Sequence, residues 1–173
     1  MTKNELSVMQ TIAGNNPQGL HFLRRVKKDY QDHKTKGLPA ALRVFFAKNR
    51  QGVAVGFAVI SMSPIKMRQW EETFREEGWA GPDFSIDVSS FELMYLYVCP
   101  EHRRQGIGSS LLDRVFAYAK RVGLHKIYTY VSDTNDAGFR FYRKNNARVF
   151  GDFSSYEDGM TTAFLVWDVQ HFA

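Results

Sequence analysis

The run Val98-Cys99-Pro100-Glu101-His102-Arg103-Arg104-Gln105-Gly106-Ile107-Gly108-Ser109-Ser110 holds the residue types best suited to doing chemistry. Pro100 cannot donate to a strand ladder, so the apolar stretch FELMYLYV (91–98) ends as a strand just before it. Arg103, Arg104 and Gln105 then lead into Gly106 and Gly108, where an apolar helical period begins at Ile107. The N–H groups of a first helical turn lack carbonyl partners, and together with the helix dipole they favour an anion. Two glycines let the backbone approach that anion closely, and Ser109 adds a hydroxyl donor. This is chemistry for a pyrophosphate. The plainer alternative is a glycine-rich helix start with surface arginines. A Walker A loop is excluded because no Lys follows Gly108. A dinucleotide turn of the Rossmann type stays as a minor alternative: Leu111 replaces its third glycine, although Asp133 stands near where a ribose-binding acid belongs.

Other chemistries have less support. The single cysteine, Cys99, can form no intrachain disulfide and completes no zinc quartet, and a nucleophilic role for it is a minor alternative. The 5 histidines are scattered without HExxH or i, i+4 spacing, so no metal is expected. A formal charge of +5 favours polyanions such as nucleotide phosphates or nucleic acid, yet solvated lysines explain it equally well. No run of about 18 apolar residues is present to span a membrane, and the N-terminal stretch lacks a secretory pattern, so a cytoplasmic location is expected.

The elements that position the loop follow from hydrophobic spacing. Leu20, Leu23, Val26 and Tyr30 mark an amphipathic helix over 17–34, broken by Gly37-Leu38-Pro39. LRVFFAKN and VAVGFAVISM flank Arg50-Gln51-Gly52 and predict an antiparallel hairpin. The connection 63–90 contains a short helix stopped by Gly81-Pro82 and concentrates Glu71, Glu72, Glu76, Glu77, Asp83 and Asp87 in a basic chain. After the strand 91–98, Ile107, Leu111, Leu112, Val115, Ala119 and Val122 line one face of a helix ending at Gly123. KIYTYV is a further strand, Asn135 to Asn146 a helix, and ARVFGDF and TAFLVWDV two more strands. With 173 residues and no repeat or linker, one α/β domain over 1–173 with a mixed sheet is expected.

The stretch Val98 to Leu112 resembles the acetyl-CoA loop of the GNAT superfamily of N-acyltransferases, whose core reads Q/R-x-x-G-x-G/A. Asn135-Asp-Ala-Gly-Phe-Arg-Phe-Tyr142 resembles the family's Asn followed seven positions later by Tyr. The resemblance implies a mixed, mostly antiparallel central sheet with helices on both faces. It also implies a strand splaying from its neighbour, so that CoA lies in a V-shaped gap between 91–98 and 126–131. Backbone groups of Leu96, Tyr97 and Val98 would then face the pantetheine arm. Arg103 belongs to the motif, and Arg104, Gln105, Gly106, Ile107, Gly108 and Ser109 would hold the pyrophosphate. Asn135 would bond the cofactor arm, and the Tyr142 hydroxyl would serve the leaving thiolate. Glu92, on the same strand, stands where some members carry a general base. Plain readings exist for each: a helix N-cap for Asn135, a core aromatic for Tyr142, a strand-end carboxylate for Glu92.

Two departures stand out. Asn146-Ala147 replaces a common Gly-Phe, although Asn tolerates a left-handed cap. Tyr130 occupies a position where members acting on protein N-termini place a glutamate, which weakens a ribosomal-protein assignment. The expected reaction is direct transfer from acetyl-CoA to a small-molecule or peptide amine. The acidic connection favours a cationic one, or is simply a solvated face. An acyl-CoA sensor without turnover is the second class. A nucleic-acid module using Arg24, Arg25, Lys27 and Lys28 is the third and weakest. The sequence leaves a homodimer open.

Overall fold

The computed structural model describes residues 1–36, 41–76, 84–87, 89–132, 135–154 and 161–171. Its elements run α1 (Lys3–Ala13), α2 (Pro17–Lys36), β1 (Ala41–Lys48), β2 (Ala54–Met62), α3 (Pro64–Glu76), β3 (Ser90–Val98), α4 (Ile107–Arg121), β4 (Lys126–Ser132), α5 (Asp136–Lys144), β5 (Arg148–Ser154) and β6 (Thr161–Asp168). The strands form a six-stranded sheet in the order β1-β2-β3-β4-β6-β5. Pairs β1/β2, β4/β6 and β5/β6 are antiparallel, and β3 runs parallel to β4. The fold is therefore the mixed α/β sheet expected. The breaks at Gly37-Leu38-Pro39 and Gly81-Pro82 fall outside the described residues, as do Glu77, Asp83 and Asp133.

Two compact units emerge from the chain: Met1–Ser63 with Met94–Tyr118, and Pro64–Leu93 with Ala119–Ala173. In the first unit the β1–β2 hairpin is closed by Asn49, whose side-chain oxygen accepts from the N–H groups of Gln51 and Val53, with Gly52 at φ 82°. Residue alternation divides the hairpin between two layers. Val44, Phe57 and Val59 join Met9, Ile12, Leu23 and Val26 of α1 and α2, whereas Phe45 turns the other way onto Tyr118 of α4, ring centroids 5.7 Å apart. Gly56 is required where the hairpin meets β3, because a Cβ there would stand 2.9 Å from the Tyr97 carbonyl oxygen.

The first helix, α1, was not expected from apolar spacing. Its start is written in Thr2 and Glu5, a capping box in which each side chain bonds the other residue's N–H.

In the second unit Met67 and Phe74 of α3 pack with Ile86, Tyr128, Phe164 and Val166. The rings of Tyr128 and Phe164 stack at 5.5 Å. The opposite face of the same strands holds Trp167, which meets Tyr142 of α5 edge-on at 5.3 Å. The helices α3 and α5 therefore cover opposite faces, as α1/α2 and α4 do in the first unit. Two positive-φ residues close helices where expected: Gly123 at 71° after α4, and Asn146 at 65° after α5.

Candidate functional site

The anion loop lies in the first unit. Pro100–His102 form one 3-10 turn, and the chain then passes through left-handed conformations at Arg104 (φ 64°) and Gly106 (φ 80°) before entering α4. Gly106 is required for its backbone angle; a Cβ there would meet nothing within 4 Å. The first bond of α4 runs from Ser110 N–H to the Gly106 carbonyl at 3.0 Å. The N–H groups of Ile107, Gly108 and Ser109 thus belong to the turn that a helix leaves without its own carbonyls. Arg104, Gln105 and Gly106 are exposed, and Ile107, Gly108 and Ser109 are half-buried. This arrangement can bind a polyanion through backbone donors at the positive end of a 15-residue helix.

Arg103 behaves differently from its neighbours. Its Nε donates to the Val98 carbonyl at 2.9 Å and its Nη2 to Gln18 Oε1 at 3.2 Å. The guanidinium also lies 5.8 Å from the Tyr97 ring centre. It fastens the loop to the strand end. Tyr97 itself is a core side chain at 2 % exposure, so β3 can offer only its backbone there, while Leu96 is half-buried. The Cys99 thiol donates to the Ile12 carbonyl at 3.1 Å, and burial pushes its pKa up. A protonated, engaged thiol is a poor nucleophile.

The second unit carries the other candidates. The register of β3 with β4 runs from Ser90↔Lys126 to Glu92↔Tyr128. The next carbonyl, that of Leu93, accepts from the Thr129 hydroxyl at 2.8 Å. Thr129 in turn shares a hydrogen bond with the hydroxyl of Tyr142, which burial pushes up to about 12. Tyr142 thus holds its proton throughout the physiological range and can donate but not act as a base. Thr129 has no sequence signature of its own. Its role follows from standing one residue beyond the last register pair.

Glu92 is buried at 6 % exposure, not a surface carboxylate, and its Oε2 pairs with Lys66 Nζ at 2.8 Å. Asn135 is the N-cap of α5, accepting from Gly138 N–H at 3.1 Å. Its side chain fills the space beside Gly138, where a Cβ would come within 2.5 Å of Asn135 Nδ2. In the acidic connection, Glu71 ties the chain together, since one carboxylate oxygen accepts from Ile86 N–H at 2.7 Å and the other pairs with Arg75. Glu72 and Glu76 are exposed. Among the described residues, no three His, Cys, Asp or Glu are grouped to hold a metal ion, and no helix is long and apolar enough to cross a membrane.

Comparison with known proteins matches residues 15–146 to the model of the acetyltransferase (GNAT) family. A spermidine N(1)-acetyltransferase of Thermoplasma acidophilum is 34% identical over 67 residues, which cover 39% of this chain and 42% of that relative. The match therefore spans less than half of the relative's length. Among solved structures, the ribosomal-protein-S18-alanine N-acetyltransferase of Escherichia coli superposes with a TM-score of 0.63 at 14% identity, covering 100% of this chain and 93% of that one. A spermidine N-acetyltransferase chimera from Vibrio cholerae gives 0.61 at 16% identity, with coverage of 98% and 94%. At these identities the likeness is one of fold.

Proposed function

The chain belongs to the GNAT acetyltransferase family, and from that premise we propose that residues 1–173 act as one N-acetyltransferase domain, moving the acetyl group of acetyl-CoA directly onto a primary amine. Acyltransferase activity is what family membership implies. The observation that carries the cofactor assignment is the loop: left-handed turns at Arg104 and Gly106 lead the exposed backbone into the start of α4. These groups fit a pyrophosphate, so Arg104 to Ser109 are assigned to hold it, with the backbone of Leu96 to Val98 along the pantetheine arm. Arg103 supports the loop from behind. Asn135, whose side-chain oxygen caps α5, is assigned to the cofactor arm through its amide nitrogen. A cytoplasmic location remains the expectation.

The thioester supplies the acetyl group, and the protein must manage two protons. A phenol near 12 lies about 3–4 units above an ordinary thiol, so complete proton transfer from Tyr142 to a thiolate costs about 5 kcal/mol. Tyr142 is therefore assigned as a hydrogen-bond donor to the leaving sulfur, a role in which its one hydroxyl hydrogen turns from Thr129 Oγ1 to the sulfur while the Thr129 hydrogen stays on the Leu93 carbonyl. Glu92 is the candidate acceptor-side base. Similarity to a spermidine N(1)-acetyltransferase supports a cationic alkylamine as acceptor.

Free-thiol release from acetyl-CoA across a panel of primary amines, with calorimetry of CoA and NAD, tests this reading. Transfer to one or more amines with CoA binding is expected. Tight NAD binding without CoA binding would install the dinucleotide reading instead. CoA binding with no transfer to any amine would leave a sensor.

A further inference from the structure

Two buried hydroxyls meet at Thr129. The strands β3 and β4 keep parallel register through Glu92↔Tyr128, and one residue later the Thr129 side chain, 1% exposed, reaches the Leu93 carbonyl at 2.8 Å. The same side-chain oxygen shares a hydrogen bond with the Tyr142 hydroxyl. A carbonyl can only accept, and a threonine hydroxyl has one hydrogen to give. Thr129 therefore donates to Leu93 and accepts from Tyr142, a polarity fixed by the backbone carbonyl at the end of the chain. Only ionisation of the phenol gives the Thr129 hydrogen reason to turn round, and the bond then opposes the effect of burial on Tyr142. The Tyr142 ring is held edge-on by Trp167, centroids 5.3 Å apart, so its hydroxyl oxygen stays in place while the hydrogen is free to turn.

We propose that Thr129 is a positioning residue that sets how tightly the site holds the departing sulfur, because it is the resting acceptor with which that sulfur competes for the Tyr142 hydrogen. A ligand with no acceptor beside Tyr142 leaves the hydrogen on Thr129. A thiolate, as a charged acceptor, takes the hydrogen from a neutral hydroxyl oxygen. What the ligand gains is then the difference between two hydrogen bonds, not the whole of one. Thr129 thus keeps the buried phenol partnered in the free protein and weakens retention of the thiolate product, which eases its release. This rests on the reading of Tyr142 as donor to the leaving sulfur and adds Thr129 as the residue that tempers it.

The test compares CoA with desulfo-CoA, in which a hydrogen replaces the thiol, at mildly alkaline pH, and reads binding rather than turnover. In protein carrying 13C at tyrosine Cζ and threonine Cβ, the Tyr142 and Thr129 resonances are assigned by their loss in Tyr142→Phe and Thr129→Ser. Both should differ between the two complexes, since Tyr142 changes its acceptor and Thr129 loses its donor. A difference at Tyr142 with none at Thr129 overturns this inference and leaves the Tyr142 assignment standing; no difference at either residue overturns both. Calorimetry supplies the second arm. Thr129→Val removes the resting acceptor, so its preference for CoA over desulfo-CoA should exceed that of wild type about fivefold, the worth of one ordinary hydrogen bond. Thr129→Ser keeps the hydroxyl and should keep the wild-type preference, and Thr129→Val combined with Tyr142→Phe should lose the gain. A merely structural role would move both affinities together. An unchanged or smaller preference in folded Thr129→Val overturns the proposal, and if that variant does not fold the wild-type resonances decide alone.

Discussion

Replacing Tyr142 by Phe separates the stability contribution of its hydroxyl from the packing of its ring. The ring keeps its edge contact with Trp167, so the perturbation is confined to one hydroxyl shared with Thr129. Thr129 keeps its own hydrogen on the Leu93 carbonyl, so no buried donor is orphaned and the variant should lose only about 1 kcal/mol below pH 10. The pH dependence is more distinctive. The folded state raises Tyr142 from 10.0 to about 12, two units, corresponding to about 3 kcal/mol. Because burial penalises only the ionised form and the folded pKa is the higher one, stability is at its full value below pH 10 and this amount is lost as pH rises through 12. By about pH 11 roughly half of it is gone, and wild type and variant should be equally stable; above that the variant should be the more stable protein. Tyr97 and Tyr128 are also raised by burial, but they are common to both proteins and cancel in the difference. Urea unfolding of the two proteins at matched pH from neutral to about pH 11 measures that difference. A difference that stays constant across this range would refute the burial of the hydroxyl and, with it, the assignment of Tyr142 as a fixed donor.

Three further perturbations have definite outcomes. Gly108→Glu places a carboxylate in the space assigned to the pyrophosphate and should abolish CoA binding by calorimetry while the circular dichroism spectrum stays that of wild type; retained affinity would remove the loop assignment. Gly138→Ala pushes on the Asn135 side chain, whose atoms lie 2.5–2.9 Å from the new Cβ. The lost cap and the gain in helix propensity, each about 1 kcal/mol, should nearly offset in Tm, so a raised KM for acetyl-CoA would report Asn135 itself and an unchanged KM would deny it a cofactor role. Glu71→Ala strips the buried Ile86 N–H of its acceptor and should cost about 1–3 kcal/mol in urea unfolding, against under about 0.5 kcal/mol for Glu72→Ala. Equal effects of the two would return Glu71 to the solvated face.

The sequence by itself determined whatever depends on contiguous residues. The end of β3 before Pro100, the backbone turn at Gly106, the entry into α4, the helix closures at Gly123 and Asn146 and the hairpin around Gly52 are all written in neighbouring side chains and their allowed φ angles. The capping box of Thr2 and Glu5 was equally local, and apolar spacing alone passed over it. Pairing between distant segments was of a different kind. An amphipathic pattern states that Lys66 and Glu71 lie on a helix with charged neighbours; it does not state that one reaches Glu92 and the other the Ile86 N–H. Asn135 could be read as a cap or as a cofactor ligand, and only the fold shows its oxygen on Gly138. The parallel register of β3 with β4 places Thr129 just past the last pair, where its hydroxyl joins Leu93 to Tyr142. Such contacts arise when the topology brings strands and helices together, and no residue carries in its own type the identity of a partner that only chain folding delivers.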